Sequence, residues 1–434
     1  MEQKNLKPLS GRSAEVFAAR VPGSKSYTNR ALLIAASRPG RTAIINALKS
    51  EDTVLLSRAL GHIPGLRVEE TPDGFAVDRT AEVLRSPPEP LYHGGGGTPA
   101  RFMLSFVTTL QGRTVVAGNA RLSERPMQDL LDAFTGMGVK WRCLEKAGCL
   151  PVEIEGGPIQ PGAWSVSGAV SSQFLSSLLL LASQMTHLPK VEVSVPGHLV
   201  SKPYVEMTLT SLRAAGVRCE HQDYRLFTVH PARVPLERIS VEPDASAMSY
   251  FLVAAALTRT KVRIDGIGRQ SAQGDVGIAF ALERMGCGLR AEDGFIELEG
   301  RPLKGIDLDM ETMPDTVLSL AMAAAQADGW SRFTNIGNLR VKECDRIHAI
   351  AAELKRLGYT VEESQDAVAI KGGGKAVPAM VETYDDHRVA MSFSLLGLLY
   401  EGISIENPRC VGKSFPGFWD ELERFYAHHQ GGHA

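Results

Sequence analysis

Six stretches of this sequence read as helices too apolar to face water, and they recur at nearly even intervals. They are KSYTNRALLIAASRPGRTAII, GTPARFMLSFVTTLQGRTVVA, SSQFLSSLLLLASQMTHLPKVEV, DASAMSYFLVAAALTRTKVRI, PDTVLSLAMAAAQADGWSRFTN and DHRVAMSFSLLGLLYEGISIE. Each opens on a polar or capping group, runs through small and apolar residues, breaks at a glycine or polar cluster, and ends in a short strand pattern. Counted from Lys25, Thr98, Ser172, Asp244, Asp315 and Asp386, the intervals are 73, 74, 72, 71 and 71 residues. A helix apolar on all sides must be buried against other helices and sheets. The chain is thereby constrained to a layered α/β fold built from one repeated unit.

The segments between these helices complete the unit. VEVSVPG, YRLFTVH, FIELEG and DAVAIKG alternate as strands do. MQDLLDAFTGMGV, VEMTLTSLRAAGV, GIAFALERMGC and IHAIAAELKRLGY have helical periodicity, each with a glycine placed as a C-cap. The unit is therefore β-α-β-α-β-β with one buried and one exposed helix, and three units per domain give two similar domains. The chain is expected to cross between them near residues 21–24 and 239–243. One domain then takes 1–22 plus 242–434, and the other 23–241.

Bulk properties exclude several classes. Lys and Arg total 47 against 49 Asp and Glu, a net charge of −2, which argues against a nucleic-acid partner. The start MEQKNLKPLSGR lacks the apolar core of a signal peptide, and FLSSLLLLASQM is too short to span a bilayer. Six cysteines without a CxxC pair fit a reduced, cytoplasmic protein with no membrane partner. The tail HHQGGHA has metal-binding composition but reads as a frayed end.

The starts of the buried helices carry Lys25-Ser26, Thr98, Ser171-Ser172, Asp244, Asp315 and Asp386-His387. Helix N-termini offer unpaired N–H groups and the positive end of the macrodipole. Several of them converging on an interdomain cleft would hold phosphates and carboxylates. VPGSKSYTNR is not a nucleotide-binding P-loop, because Ser24 stands where the glycine before the lysine is required. It leaves Lys25 and Ser26 at a helix start, with Arg30 a turn further on. GGGGTPARF, from Gly94, lets a ligand approach bare backbone and adds Arg101; SERPMQDL adds Arg125. Arg340, Lys342, Glu343, Asp345 and Arg346 crowd GNLRVKECDR. Asp385, Asp386, His387 and Arg388 precede a helix too apolar to be exposed, and Lys413 lies in VGKSFPGFW. The cations Lys25, Arg30, Arg101, Arg125, Lys342, Arg346, Arg388 and Lys413 suit two small anionic ligands, with Asp315 and Glu343 available for proton transfer.

The ordered set GSKSxxNRALLxAA, GTxxR, ERPxxDL, SSQFL, SKPY, DASxxSYF, MPD, RVKExDR, DDHRxAM and GKSFPxFW resembles the 5-enolpyruvylshikimate-3-phosphate synthase family over residues 20 to 420. The resemblance implies two inside-out α/β barrel domains closing over a cleft. The implied reaction passes the enolpyruvyl group of phosphoenolpyruvate to the 5-hydroxyl of shikimate 3-phosphate, releasing phosphate, with no metal or organic cofactor. It also implies a cytoplasmic enzyme, expected as a monomer, in aromatic amino acid biosynthesis. Carried over by motif, Lys25, Ser26, Arg30, Ser171, Ser172, Gln173, Ser201, Tyr204, Asp315, Asn338 and Lys342 hold shikimate 3-phosphate. Lys25, Gly97, Arg125, Gln173, Arg346, Arg388 and Lys413 surround phosphoenolpyruvate. Asp315 is then the base on the 5-hydroxyl, and Glu343, with Lys25, protonates the methylene carbon.

The sequence departs from the family pattern at one loop. Gly95 stands where many members have asparagine, and Pro99 and Phe102 also differ. The family's inhibitor glyphosate lies beside this loop, so its potency here is not implied. Two rival readings are the sister enzyme that transfers enolpyruvyl to UDP-N-acetylglucosamine and a non-catalytic phosphate-binding homologue. Against the first stand Lys25-Ser26 in place of its usual Lys-Asn pair and the lack of a cysteine in LSERPM. Against the second stands the presence together of Asp315, Glu343 and Lys413.

Overall fold

A computed structural model of the chain describes residues 2–160 and 162–430. It divides into two compact units, Met1–Pro22 with Pro243–Ala434, and Gly23–Glu242. The end of the HHQGGHA tail, 431–434, lies outside the described residues.

Among the described residues the strands form six sheets, five of four strands and one of three. The order is the same in all five. In the unit Gly23–Glu242, Arg238–Ser240 runs parallel to Gly40–Ile45, which pairs antiparallel with Gly74–Arg79, itself antiparallel to Leu66–Thr71. The other two sheets of this unit repeat the pattern around Gly112–Ala117 and Val191–Ser194. In the second unit it recurs around Lys261–Asp265 and Trp330–Thr334. The three-stranded sheet keeps the parallel pair Ala379–Val381 and Ile403–Glu406 but closes on the N-terminal strand Gln3–Asn5, which runs antiparallel. The unit Gly23–Glu242 thus completes one sheet with a strand from far along the chain, and the other unit completes two, with Gln3–Asn5 and Val16–Ala18.

The apolar helices are Lys25–Ser37, Gly97–Phe106 and Ser172–Ala182 in one unit. Ala245–Thr258, Val317–Gln326 and His387–Ser394 are their counterparts in the other. All 14 residues of Ala245–Thr258 are buried, as its unbroken apolar composition requires. The few hydroxyls in these helices pair across helix contacts, since a buried polar group costs free energy unless bonded. Ser105 Oγ donates to Ser177 Oγ and Ser319 Oγ to Ser249 Oγ, both at 2.9 Å, across separations of 72 and 70 residues. The amphipathic helices end before Gly138, Gly216, Gly286 and Gly358, all at positive φ.

Glycine also sets how closely strand and buried helix approach. A Cβ on Gly156, Gly300 or Gly372 would lie 2.1, 2.0 or 2.1 Å from the carbonyl oxygen of Leu110, Ala255 or Ala327, at the end of a buried helix or just beyond it. Backbone cannot yield as a flexible side chain does. Gly300→Ala is expected to cost at least about 3 kcal/mol, the upper range for overpacking, read as a lowered midpoint in denaturant unfolding. An unchanged midpoint would show that this approach is looser than described.

Candidate active site

Each unit carries its own cluster of functional side chains. In Gly23–Glu242 the helix Lys25–Ser37 is capped by Ser24, whose side chain accepts from Tyr27 N. Lys25 projects from this start and pairs with Asp52 at 3.2 Å, both largely buried. Asp52 lies in the first turn of helix Glu51–Gly61, an element the sequence reading did not single out. The capping pair Ser50 and Thr53 was its signal. Helix Gly97–Phe106 begins on the glycine loop, and the Arg125 guanidinium lies flat against Gly97, where a Cβ would sit 2.6 Å from Nη1.

Two arginines expected beside a ligand are engaged by the protein itself. Arg30, 1% exposed, donates to Ser26 O at 2.9 Å, Tyr204 O at 2.6 Å and Thr208 Oγ1 at 2.8 Å. Its guanidinium lies 5.2 Å over the Phe102 ring, and burial pushes its pKa down to about 10. Arg101 donates to Gln173 Oε1 at 2.7 Å and Pro126 O at 3.2 Å. Gln173 in turn donates to Thr98 Oγ1 at 2.8 Å. Both arginines therefore position neighbours: Arg30 ties Ser26 to Tyr204, and Arg101 orients Gln173. Ser171 caps helix Ser172–Ala182 by accepting from Gln173 N. Ser201, the N-cap of helix Lys202–Ala214, sits at φ 53, a left-handed conformation costly for a residue with a side chain.

In the other unit, four cations meet three carboxylates. Asp315 lies in the turn Pro314–Thr316. Its carboxylate takes Arg346 Nη1 at 3.0 Å, Arg388 Nη2 at 3.0 Å and Lys342 Nζ at 3.7 Å. Glu343 takes Arg346 Nη2 at 2.9 Å and Lys413 Nζ at 3.5 Å. Asp386, fully buried, takes Arg346 Nε at 2.8 Å and caps helix His387–Ser394 by accepting from Arg388 N. Burial would raise the Asp315 pKa, but Arg388, Lys342 and Arg346 outweigh it and hold the group well below the usual carboxylate range. Burial acts against the charge on Arg346 as well, and the three carboxylates reverse the sign, so its pKa is raised.

Behind Arg388 stand groups that the sequence did not reveal. Its Nη2 donates to Ser246 Oγ at 3.2 Å and its Nη1 to Tyr250 OH at 3.4 Å. Ser246 Oγ donates to the buried carboxylate of Asp275. Burial, then the charge of Asp315, pushes Asp275 up to about 7. Asn338 lies half-buried in the turn Gly337–Val341 that leads to Lys342. The charged quartet at 385–388 divides: Asp385 pairs with Asn407 at the surface, while Asp386, His387 and Arg388 are buried. Arg340 is spent on Asp345, which caps the helix Arg346–Arg356. Among the described residues no group of three or more His, Cys, Asp or Glu is placed to hold a metal, and no helix is long and apolar enough to cross a membrane.

The family model for EPSP synthase (3-phosphoshikimate 1-carboxyvinyltransferase) matches residues 10–422. The chain belongs to the EPSP synthase family. It is 40% identical over 423 residues to the 3-phosphoshikimate 1-carboxyvinyltransferase of Hamiltonella defensa, covering 96% of this chain and 97% of that one. Identity to the enzyme of the same name from Shewanella denitrificans is 38% over 429 residues, covering 98% and 99%. Among solved structures, an EPSP synthase from Acinetobacter baumannii superposes with a TM-score of 0.81 at 27% identity over 98% of both chains. The enolpyruvyl transferase NikO from Streptomyces tendae shares the fold, with a TM-score of 0.76 at 19% identity over 97% of both chains.

The loop that departs from the family pattern has an internal logic. A Cβ on Gly96 would lie 2.7 Å from Pro99 Cγ and 3.0 Å from Asp52 Oδ1, so the proline ring occupies the space of a side chain at 96. Gly96→Ala alone is expected to cost about 1–3 kcal/mol, and Gly96→Ala with Pro99→Ala to recover most of it. Additive losses in a double-mutant cycle of unfolding free energies would break this coupling.

Proposed function

We propose that the chain transfers the enolpyruvyl group of phosphoenolpyruvate to the 5-hydroxyl of shikimate 3-phosphate and releases phosphate. The observation that carries this reading is the Asp315 carboxylate gripped by Arg346 and Arg388, with Glu343 bridging Arg346 to Lys413. Such an arrangement stores cations for incoming anions beside two carboxylates able to move protons. Family membership supplies the substrate class. The same reading includes two inside-out α/β barrel domains, 1–22 plus 242–434 and 23–241, each of three β-α-β-α-β-β repeats. The common order of the sheets supports it.

In this mechanism Lys25, Ser26, Ser171, Ser172, Gln173, Ser201, Tyr204, Asn338 and Lys342 hold shikimate 3-phosphate, with Arg30 fixing Ser26 and Tyr204. Lys25, Gly97, Arg125, Gln173, Arg346, Arg388 and Lys413 receive phosphoenolpyruvate. Its carboxylate and phosphate compete with Asp315 and Glu343 for the same cations. As the cations turn to the ligand, both carboxylates gain proton affinity. Asp315 then accepts the 5-hydroxyl proton while the oxygen bonds to C2 of phosphoenolpyruvate. Glu343, with Lys25, delivers a proton to C3, giving a tetrahedral intermediate. Glu343, left as a carboxylate, takes a proton back from the new methyl group as the bond from C2 to the phosphate oxygen breaks, which expels phosphate and leaves the enol ether. Closure around the ligands would exclude water and align the reacting atoms.

Phosphate release from phosphoenolpyruvate is expected only when shikimate 3-phosphate is present. Release driven by UDP-N-acetylglucosamine would overturn the acceptor, and binding of both ligands without turnover would favour a non-catalytic homologue. Asp315→Ala should fold and lose turnover by about 10²- to 10⁴-fold. A near-normal rate would remove Asp315 from the role of base.

A further inference from the structure

The helix Lys25–Ser37 presents Lys25 at one end and a separate basic cluster at the other, about 20 Å away at 1.5 Å per residue. Arg38, its C-cap residue, is 1% exposed. Arg79 ends the strand Gly74–Arg79, and Arg233 lies half-buried in the segment leading back along Gly40–Ile45. Backbone anchors gather the three. Arg79 Nη1 donates to Ala36 O at 3.2 Å, and Arg38 Nη1 donates to the carbonyl of Ala232, next to Arg233. Thr42 Oγ1 to Leu236 O at 2.7 Å and Ala43 N to Glu237 O at 2.9 Å pin that segment to the strand.

These arginines lack an acidic partner. No carboxylate stands within ion-pair distance of Arg38, Arg79 or Arg233 among the described residues; the acid that faces them most directly is Glu82, towards Arg79. Arg38 Nε and Nη2 and Arg233 Nε are buried without an acceptor. Burial, reinforced by Arg233, pushes the Arg38 pKa down only to about 10, so the group stays charged at neutral pH. A buried charge without a counter-charge is costly. The unpartnered, buried Nε/Nη2 edge of Arg38 is the side of a guanidinium that presents two parallel N–H groups to two oxygens of one anion.

We propose that Arg38, Arg79 and Arg233 form a binding site for a small phosphate-class oxyanion, distinct from the candidate active site. Two oxygens of the anion take the Nε/Nη2 edge of Arg38, one takes Arg233 Nε, and Arg79 adds its charge. Three guanidiniums favour a dianion over a monocarboxylate.

Thermal unfolding in low-millimolar inorganic phosphate, against chloride at equal ionic strength, tests this. Wild type and Arg125→Gln, which weakens the other phosphate-receiving site, should both gain roughly 3 °C or more. Arg38→Gln and Arg233→Gln should lose more than half of that gain while keeping wild-type turnover. Equal gains in both arginine variants, or complete loss of the gain in Arg125→Gln, would overturn the site. Should Arg38→Gln fail to fold, Arg233→Gln decides. An acetate series giving as large a rise as phosphate would overturn the phosphate class.

Discussion

A guanidinium buried as deeply as that of Arg346 persists only when carboxylates surround it. Its side chain is 2% exposed and meets Asp315, Glu343 and Asp386 at 3.0, 2.9 and 2.8 Å. Those three acids belong to separate segments, so one side chain fixes the relative placement of all of them. Asp386 also caps the helix His387–Ser394, which aims Arg388 at the far oxygen of Asp315. Glu343 in turn holds Lys413, from the turn Pro408–Lys413. Break the Arg346 contacts and the remaining cations lose their geometry as well as a counter-charge.

The cluster in Gly23–Glu242 works by a different balance. Lys25 is held by an ion pair with Asp52. Arg30 and Arg101 spend their donors on carbonyls, hydroxyls and an amide, and Arg125 rests on a glycine that has no side chain to displace it. Neutral partners hold a guanidinium in place without cancelling its charge. Around Arg346, where three carboxylates meet the cations, proton affinity can change when an anion arrives.

Much of this was legible in the sequence because it is local and periodic. The six apolar helices, the glycines at the ends of the amphipathic helices, and the helix-start positions of Lys25, Ser172 and Arg388 all follow from pattern and capping chemistry. What the sequence hid is pairing across distance. Asp52 reads as an ordinary first-turn acid until the fold brings it to Lys25, 27 residues away. Nothing in spacing links Ser246 and Asp275 to Arg388. Arg30 and Arg101 read as free cations because composition does not show that carbonyls of other segments await them. Arg38 carries no mark in the sequence, and its burial near Arg79 and Arg233 is what sets it apart.

If Asp315 holds cations that the substrate must take over, removing its charge should free them for an anion. The direct test is the affinity of phosphate for the enzyme already loaded with shikimate 3-phosphate, an unreactive pair, by titration calorimetry of wild type and Asp315→Asn. The account predicts that Asp315→Asn binds phosphate about tenfold tighter or better, a gain of about 1.4 kcal/mol, while turnover is lost. Equal or weaker phosphate binding by Asp315→Asn would contradict it.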